Sequence, residues 1–147
     1  MTMHRRPVGR TRLLAAIGGL VTLGGCFLPW WSRGGGSDEL TKLSGTAFDG
    51  MGIVVFAAAI ATLALVTLPY ATERPVAADR WSSYALIAGL GWLAFAYRIV
   101  ELSSINAFSF AEPKDFITNI PGLWLCGVGL AIIARATYQM LGEPRLR

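Results

Sequence analysis

The sequence predicts an all-α fold, a transmembrane four-helix bundle with both termini in the cytoplasm. Apolar side chains make up 54% of the 147 residues and charged ones only 15%, whereas about a quarter of an ordinary soluble domain is charged. The charge is also unevenly placed, because four windows contain none: residues 13–31, 51–70, 82–97 and 119–134. A bilayer core of about 30 Å needs about 20 apolar residues. The chain, residues 1–147, is therefore expected to form one integral membrane domain.

Each window predicts one membrane span. The first two windows are long enough as they stand, and the other two reach spanning length if Arg98 and Arg135 extend their guanidinium groups to the headgroups. A soluble helical protein is not expected, because four buried helices in so short a chain would have nothing to cover them. The predicted spans are residues 13–31, 51–70, 82–100 and 119–138.

Prolines predict where three of these helices begin or end. Pro29 and Pro69 are expected to end the first and second spans, because proline disfavours helical geometry in the residue before it. Asn119 followed by Pro121 is typical of a helix start, with a side-chain cap and a proline in the first turn. The segment 32–50, which begins with a glycine-rich stretch, is expected to be a loop on the outer side.

The basic residues predict the orientation. Nine of the 13 lysines and arginines flank one side of the predicted spans and four flank the other. The positive-inside rule then places both termini in the cytoplasm. The pI near 9.5 follows from this topology and from attraction to anionic membrane lipid. No basic cluster interleaved with aromatic residues favours nucleic-acid binding.

Aromatic residues fall where an interface belt would place them. Trp30 and Trp31 end the first span on the outer side, and Tyr70 and Trp81 lie at inner ends, so these four are the expected interface anchors. Trp92 differs, because it lies near the middle of the third span. Its indole N–H needs a partner there, which is consistent with a packed core residue or with a residue that stacks on a ligand.

Small residues predict how the helices pack. Residues at 3-4-3 spacing along the first span form one smooth face, and such faces let helices approach closely in lipid; they are Ala15, Gly18, Thr22 and Gly25. The second span carries its own stripe at Ala57, Ala61 and Ala64. A stripe turned inward would hold the bundle together, and one turned outward would serve a partner.

Few residues could support chemistry. His4 is the only histidine, and no span contains an acidic residue, so neither a metal or haem site nor an ion-coupled transporter is expected, and no cofactor is expected. No set of residues supplies an acid, a base and a nucleophile. Arg98 and Glu101 share a helix face and can pair, either as a headgroup-level pair or as an outward site for a lipid headgroup or partner loop.

The two cysteines leave alternatives open. Cys26 follows Leu-Gly-Gly after a basic and then an apolar stretch, as in a lipoprotein signal, but the residues after it stay apolar to full spanning length. An uncleaved span is therefore the expectation. Cys126 lies at a similar depth, so a disulfide with Cys26 is geometrically possible if the first and fourth spans touch, although free thiols in packing faces are expected.

The order LPWWS, a glycine-rich segment, SGTAFDG and then GIVVF resembles small, uncharacterised four-span membrane proteins of bacteria. In these proteins a Pro-Trp-Trp/Tyr-Ser turn precedes a glycine-containing loop that re-enters the membrane. The resemblance covers roughly the first half of the chain. It implies an inner-membrane location and no known activity, and it supplies no functional residues.

Three hypotheses of function follow. The first is a non-enzymatic membrane protein that acts through helix association, as an accessory or structural subunit or as a homo-oligomer, with Ala15, Gly18, Thr22 and Gly25 as the packing face. The second is binding or transport of a lipid or small apolar molecule in a cavity near Trp92, with Arg98 and Glu101 at its mouth. The third is a lipoprotein anchored through Cys26 with three spans.

Overall fold

Four long helices and a short hairpin account for most of the fold. The computed structural model describes residues 9–33, 43–71, 80–108 and 113–142. Its helices are α1 (Arg10–Phe27), α2 (Gly52–Ala71), α3 (Trp81–Ser104), α4 (Pro113–Thr118) and α5 (Pro121–Met140). Two strands, β1 (Trp31–Arg33) and β2 (Leu43–Gly45), lie between α1 and α2.

Three of the helices within the described ranges, α2, α3 and α5, are long and apolar enough to cross a membrane. Their bounds differ by a few residues from the predicted second, third and fourth spans. Helix α1 is not among the three. It has 18 residues and includes Arg10 and Arg12 in its first turn, together with four glycines.

The predicted first span, 13–31, is displaced in the structure. Helix α1 begins earlier, at Arg10, and ends at Phe27. Leu28 is extended, as expected for a residue that precedes proline, and the chain then enters β1. The last residues of the charge-free window therefore belong to the hairpin rather than to a helix.

The α1, α2, α3 and α5 helices form a closed antiparallel ring. α1 contacts α5 and α2, and α3 contacts α2 and α5. The direction of α1 against α5 follows from two contacts, because Gly18 lies opposite Ile133 and Gly25 lies opposite Cys126. Helix α3 is also antiparallel to α5, because Gly91 lies opposite Leu130 and Gly127 lies opposite Phe95. Helix α1 is antiparallel to α2, because Gly19 lies opposite Leu63 and Phe27 lies opposite Phe56. Each helix thus runs opposite to both of its neighbours.

The predominantly helical fold is confirmed, and the hairpin is an addition that the all-α prediction did not include. Strands β1 and β2 pair antiparallel, with Trp31 opposite Gly45 and Arg33 opposite Leu43, and the Trp30 N–H donates to the Gly45 carbonyl at 2.8 Å. The sequence predicted a loop here. Strands of three residues are too short to display the two-residue alternation by which a strand is recognised.

Two of the predicted helix ends are also corrected. Pro69 lies inside α2, which continues to Ala71. A proline removes the hydrogen bond of its own N–H, but the residues after it can still donate to earlier carbonyls, so the helix need not end there. Helix α5 has Ile120, not Asn119, at its N-cap position and no side-chain cap, although Pro121 does occupy the first turn as expected.

Candidate functional site

The small-residue face of α1 lies inside the bundle. Ala15, Gly18, Thr22 and Gly25 are all buried, and the glycines pack against α5. A Cβ atom added at Gly18 would stand 2.8 Å from the Ile133 side chain and 2.9 Å from its backbone nitrogen. One added at Gly25 would stand 2.8 Å from the backbone nitrogen of Cys126. Only glycine permits the two backbones to approach so closely at these points.

Helix α5 also has small residues at this contact. Gly122, Cys126 and Gly129 are buried against α1, and a Cβ atom at Gly122 would stand 2.6 Å from the Gly25 carbonyl oxygen. The Gly122 N–H also donates to the Pro29 carbonyl at 3.0 Å. The α1–α5 contact is therefore formed by glycine on both sides.

Trp30 was expected at the membrane interface, and the structure corrects this. Its side chain is 0% exposed, its indole N–H donates to the Gly25 carbonyl at 3.0 Å, and its ring meets Phe95 edge-to-face at 5.7 Å. The contact with α3 is tertiary and has no counterpart in local sequence. Of the other expected anchors, Trp31 and Trp81 are half-buried and Tyr70 is exposed.

Replacing Trp30 with phenylalanine should isolate its hydrogen bond. Trp30→Phe retains an aromatic ring against Phe95 but leaves the Gly25 carbonyl without this donor, so the free energy of unfolding should fall by about 1 kcal/mol. Trp92→Phe is the matched control, because Trp92 is partly exposed. Equal unfolding midpoints for the two variants, measured by circular dichroism in detergent, would contradict the role given to the indole N–H.

Among the residues that the structure describes, Arg98 is the charged residue whose side chain is buried. Only 4% of it is exposed, so its side chain is enclosed by protein rather than extended outward as the predicted third span required. Its Nη1 atom pairs with the Glu101 carboxylate at 2.6 Å, on the shared face expected from the sequence, and Glu101 itself is 41% exposed. Its Nη2 atom donates to the Asp49 carbonyl at 2.9 Å.

These contacts fasten a small structure that we name the hairpin cap, residues 30–33 and 43–50. Asp49 belongs to the cap, and its carboxylate accepts from the Thr46 N–H at 2.8 Å. Phe48 packs on Phe27 and Phe56, with ring centroids 5.5 and 5.0 Å apart. The cap is thus joined to α1, α2 and α3 at one end of the bundle.

The sequence contained a signal for part of the cap. Thr46-Ala-Phe-Asp49 before an apolar run matches the Ser/Thr-x-x-Asp/Glu pattern of a helix N-terminal capping box. The reciprocal half of that motif is present, because the Asp49 carboxylate reaches back to the Thr46 N–H. No sequence pattern indicates the contact between Arg98 and the Asp49 carbonyl.

Trp92 does not line either of the depressions found in the described part of the chain. It is 37% exposed on the outside of α3, where its ring meets Phe95 edge-to-face at 5.8 Å. It is therefore not a fully packed core residue, and it does not line the two depressions described below. The hypothesis of a ligand cavity grouped Trp92 with Arg98 and Glu101. In the structure Arg98 is buried, whereas Trp92 is on the surface.

Two surface depressions occur elsewhere. The larger, about 390 Å³, is lined by the last turns of α5 and the residues after them. The other, about 180 Å³, lies between α2 and α3, and we name it the α2–α3 groove. It is lined by apolar residues only: Val54, Ala57, Ala58, Ala61, Ile87 and Leu90. It includes two of the three alanines of the predicted stripe on the second span.

The two cysteines are brought together by the α1–α5 contact. Cys26 and Cys126 are both free and fully buried, with their sulfur atoms 3.7 Å apart. The Cys126 thiol also lies 3.3 Å from the Thr22 carbonyl. Among the residues searched, no three histidine, cysteine or acidic side chains are grouped to hold a metal ion.

Comparisons with protein-family models, with curated proteins and with solved structures give no match for this chain.

Proposed function

We propose that this chain is a four-span protein of a bacterial inner membrane that works without catalysis, by associating with a further transmembrane helix. That helix belongs to a larger complex, in which this chain is an accessory subunit, or to a second copy of the chain. Surrounding membrane lipid is its other partner.

The packing of α1 supports a fourth span. Helix α1 is antiparallel to α5 and lies against it from Ala136 near one end to Gly122 at the other. A helix of 18 residues is about 27 Å long, close to the thickness of a bilayer core. If α5 crosses the membrane, α1 occupies the same depth, with Arg10 and Arg12 at the headgroup level.

The charges of the described residues support the orientation. Arg10, Arg12, Arg80 and Arg135 lie at or near the bundle end opposite the hairpin cap. The cap end carries Arg33, Arg98 and Lys114 together with the acidic residues Asp49, Glu101 and Asp115, so the net positive charge of the described residues is at the opposite end. An excess of arginine on one side is the cytoplasmic signature. Both termini are then cytoplasmic and the cap faces outward.

The state of the buried polar groups supports a non-catalytic role. Three buried threonine hydroxyls donate to carbonyls four residues earlier in their own helices, at 2.8–2.9 Å, and are thereby satisfied; they are Thr22, Thr62 and Thr137. Both Nη atoms of Arg98 are bonded, to Glu101 and to the Asp49 carbonyl, and only its buried Nε has no hydrogen-bond partner. Polar groups bonded in this way are structural rather than available to a substrate.

The observation that carries the proposal is which small-residue stripe remains free. The α1 stripe is occupied by α5, but Ala57 and Ala64 on α2 are exposed and Ala61 is half-buried. Ala57 and Ala61 line the α2–α3 groove. In lipid, small residues facing outward beside a shallow groove allow another helix to pack closely. The groove is smaller than the roughly 300–1,000 Å³ of small-molecule pockets, which favours a helix over a bound ligand.

The burial of Cys26 bears on the lipoprotein alternative. Its thiol is enclosed between α1 and α5, and α1 extends on both sides of it. This arrangement favours an intact first helix over cleavage and lipidation at Cys26.

Filling the groove should abolish association. Ala61→Leu adds bulk where a partner helix would approach. The fraction of chain that co-purifies with a partner or a second copy in mild detergent should therefore fall at least about tenfold below wild type. Ala131→Leu, at an exposed position of α5, is the matched control and should retain it. Native mass spectrometry of the purified assemblies measures the retained fraction for both variants. Equal retention in the two variants, or a wild-type chain that is monomeric in membranes, would contradict the proposal.

A further inference from the structure

Cys26 and Cys126 are placed close enough for their thiols to form a disulfide. They are the only two cysteines of the chain, lie 100 residues apart in sequence, and have their sulfur atoms 3.7 Å from each other. The Cys126 proton has an acceptor in the Thr22 carbonyl at 3.3 Å. Because a thiol carries one proton, the contact between the sulfurs is then donated by Cys26. The two sulfurs are in direct contact with no group between them.

We propose that Cys26 and Cys126 are an oxidisable pair whose disulfide locks α1 to α5. A disulfide bond is about 2.05 Å long, so the sulfurs must approach by about 1.6 Å, which side-chain rotation at two residues can provide. The backbones are already held together beside the pair. Gly25 and Gly122 are in close contact there, and the Gly122 N–H bonds to the Pro29 carbonyl.

The oxidant class follows from burial. Both side chains are 0% exposed and share a buried cluster with Trp30 of the hairpin cap, so a bulky or charged disulfide has no approach. A peroxide is small and uncharged. Hydrogen peroxide converts one thiol to a sulfenic acid and releases water, and the second thiol then attacks that sulfur, forming the S–S bond and releasing a second water. Two thiols and one peroxide thus give one disulfide and two waters.

The immediate partner thiol makes this outcome preferable to further oxidation. A sulfenic acid with a thiol in contact condenses with it, whereas an isolated one proceeds to sulfinic acid. Burial makes the first step slow, because reactive thiols are usually exposed and ionised. Disulfide formation is therefore favoured over sulfinic acid because the second thiol is adjacent, not because the first oxidation is fast.

The test uses the full-length chain, purified with its thiols reduced and then treated with hydrogen peroxide. After unfolding and alkylation with N-ethylmaleimide, intact mass should show a monomer lighter by two hydrogen atoms with no adduct, and dithiothreitol should restore two adducts. Cys26→Ser and Cys126→Ser should each show no such species. Sulfur oxygenation without cross-linking, covalent dimers, or two thiols that remain unreacted would each overturn the proposal.

A second readout tests the lock itself. Cross-linking two residues 100 positions apart removes much of the freedom of the unfolded chain. The oxidised wild type should unfold at least about 5 °C above the reduced form in the same detergent, and reduction should reverse the shift. Peroxide should produce no such shift in either serine variant. An unchanged midpoint in a chain that mass spectrometry shows to be cross-linked would also overturn the proposal.

Discussion

Gly25→Ala should lower the free energy of unfolding of the bundle by about 3 kcal/mol. The added methyl group would stand 2.8 Å from both the backbone nitrogen and the sulfur of Cys126 and 3.0 Å from the Gly122 carbonyl oxygen. Two of these three atoms are backbone and cannot rotate away, so α1 and α5 must separate. Forcing extra carbon into a packed contact typically costs about 1–3 kcal/mol, with larger values where neighbours cannot yield. Unfolding in detergent, followed by circular dichroism, measures the change.

The neighbouring glycine provides the control. Gly24 is exposed on α1, and a Cβ atom added there meets nothing within 4 Å. Gly24→Ala should therefore leave stability within about 1 kcal/mol of wild type, with any change toward greater stability, because alanine favours a helix over glycine. If Gly25→Ala and Gly24→Ala unfold at the same midpoint, the α1–α5 contact is not as close as described.

Arg98→Met should release the hairpin cap. The methionine side chain retains apolar bulk but makes neither the hydrogen bond to the Asp49 carbonyl nor the ion pair with Glu101. Glu101 is partly exposed and can return to solvent, so most of the cost falls on the cap. Losing a buried hydrogen bond to a charged donor costs about 2 kcal/mol, and amides of residues 46–50 should exchange with deuterium about 30-fold faster.

Arg135→Met is the comparison for this variant. Arg135 is exposed near the far end of α5, so its replacement removes the same charge without touching the cap. Hydrogen exchange resolved by mass spectrometry should show acceleration at 46–50 for Arg98→Met alone. Unchanged protection of that segment in Arg98→Met would remove the basis for treating Arg98 as the fastening of the cap.

The long helices were predictable because their length and apolar content are set by one physical requirement. The spans predicted from the charge-free windows match α2, α3 and α5 to within a few residues. The first span was predicted three or four residues too late in the chain. A charge-free window marks residues expected inside the membrane, whereas a helix can begin among arginines such as Arg10 and Arg12. The strands β1 and β2 were missed, since six residues in two short segments carry no periodic signal.

The site was predictable only where it depended on local spacing. The positions of Gly18 and Gly25 on one helical face are visible in the sequence, and so is the i, i+3 pairing of Arg98 with Glu101. Trp30 and Arg98 were misplaced because their partners are distant. Phe95 buries Trp30, and the carbonyl that Arg98 binds lies 49 residues away. Backbone carbonyls are identical in every residue, so no sequence pattern marks that contact.

Counting the membrane crossings tests the four-span bundle most directly. A short tag that complements a cytoplasmic split fluorescent protein is fused to the N-terminus of the chain in one strain of bacteria and to its C-terminus in another. A four-span chain with α1 in the membrane predicts fluorescence from both tags, and none from a tag inserted between β1 and β2. Fluorescence from only one terminus would show an odd number of crossings and contradict the four-span bundle, because α1 would then lie outside the membrane.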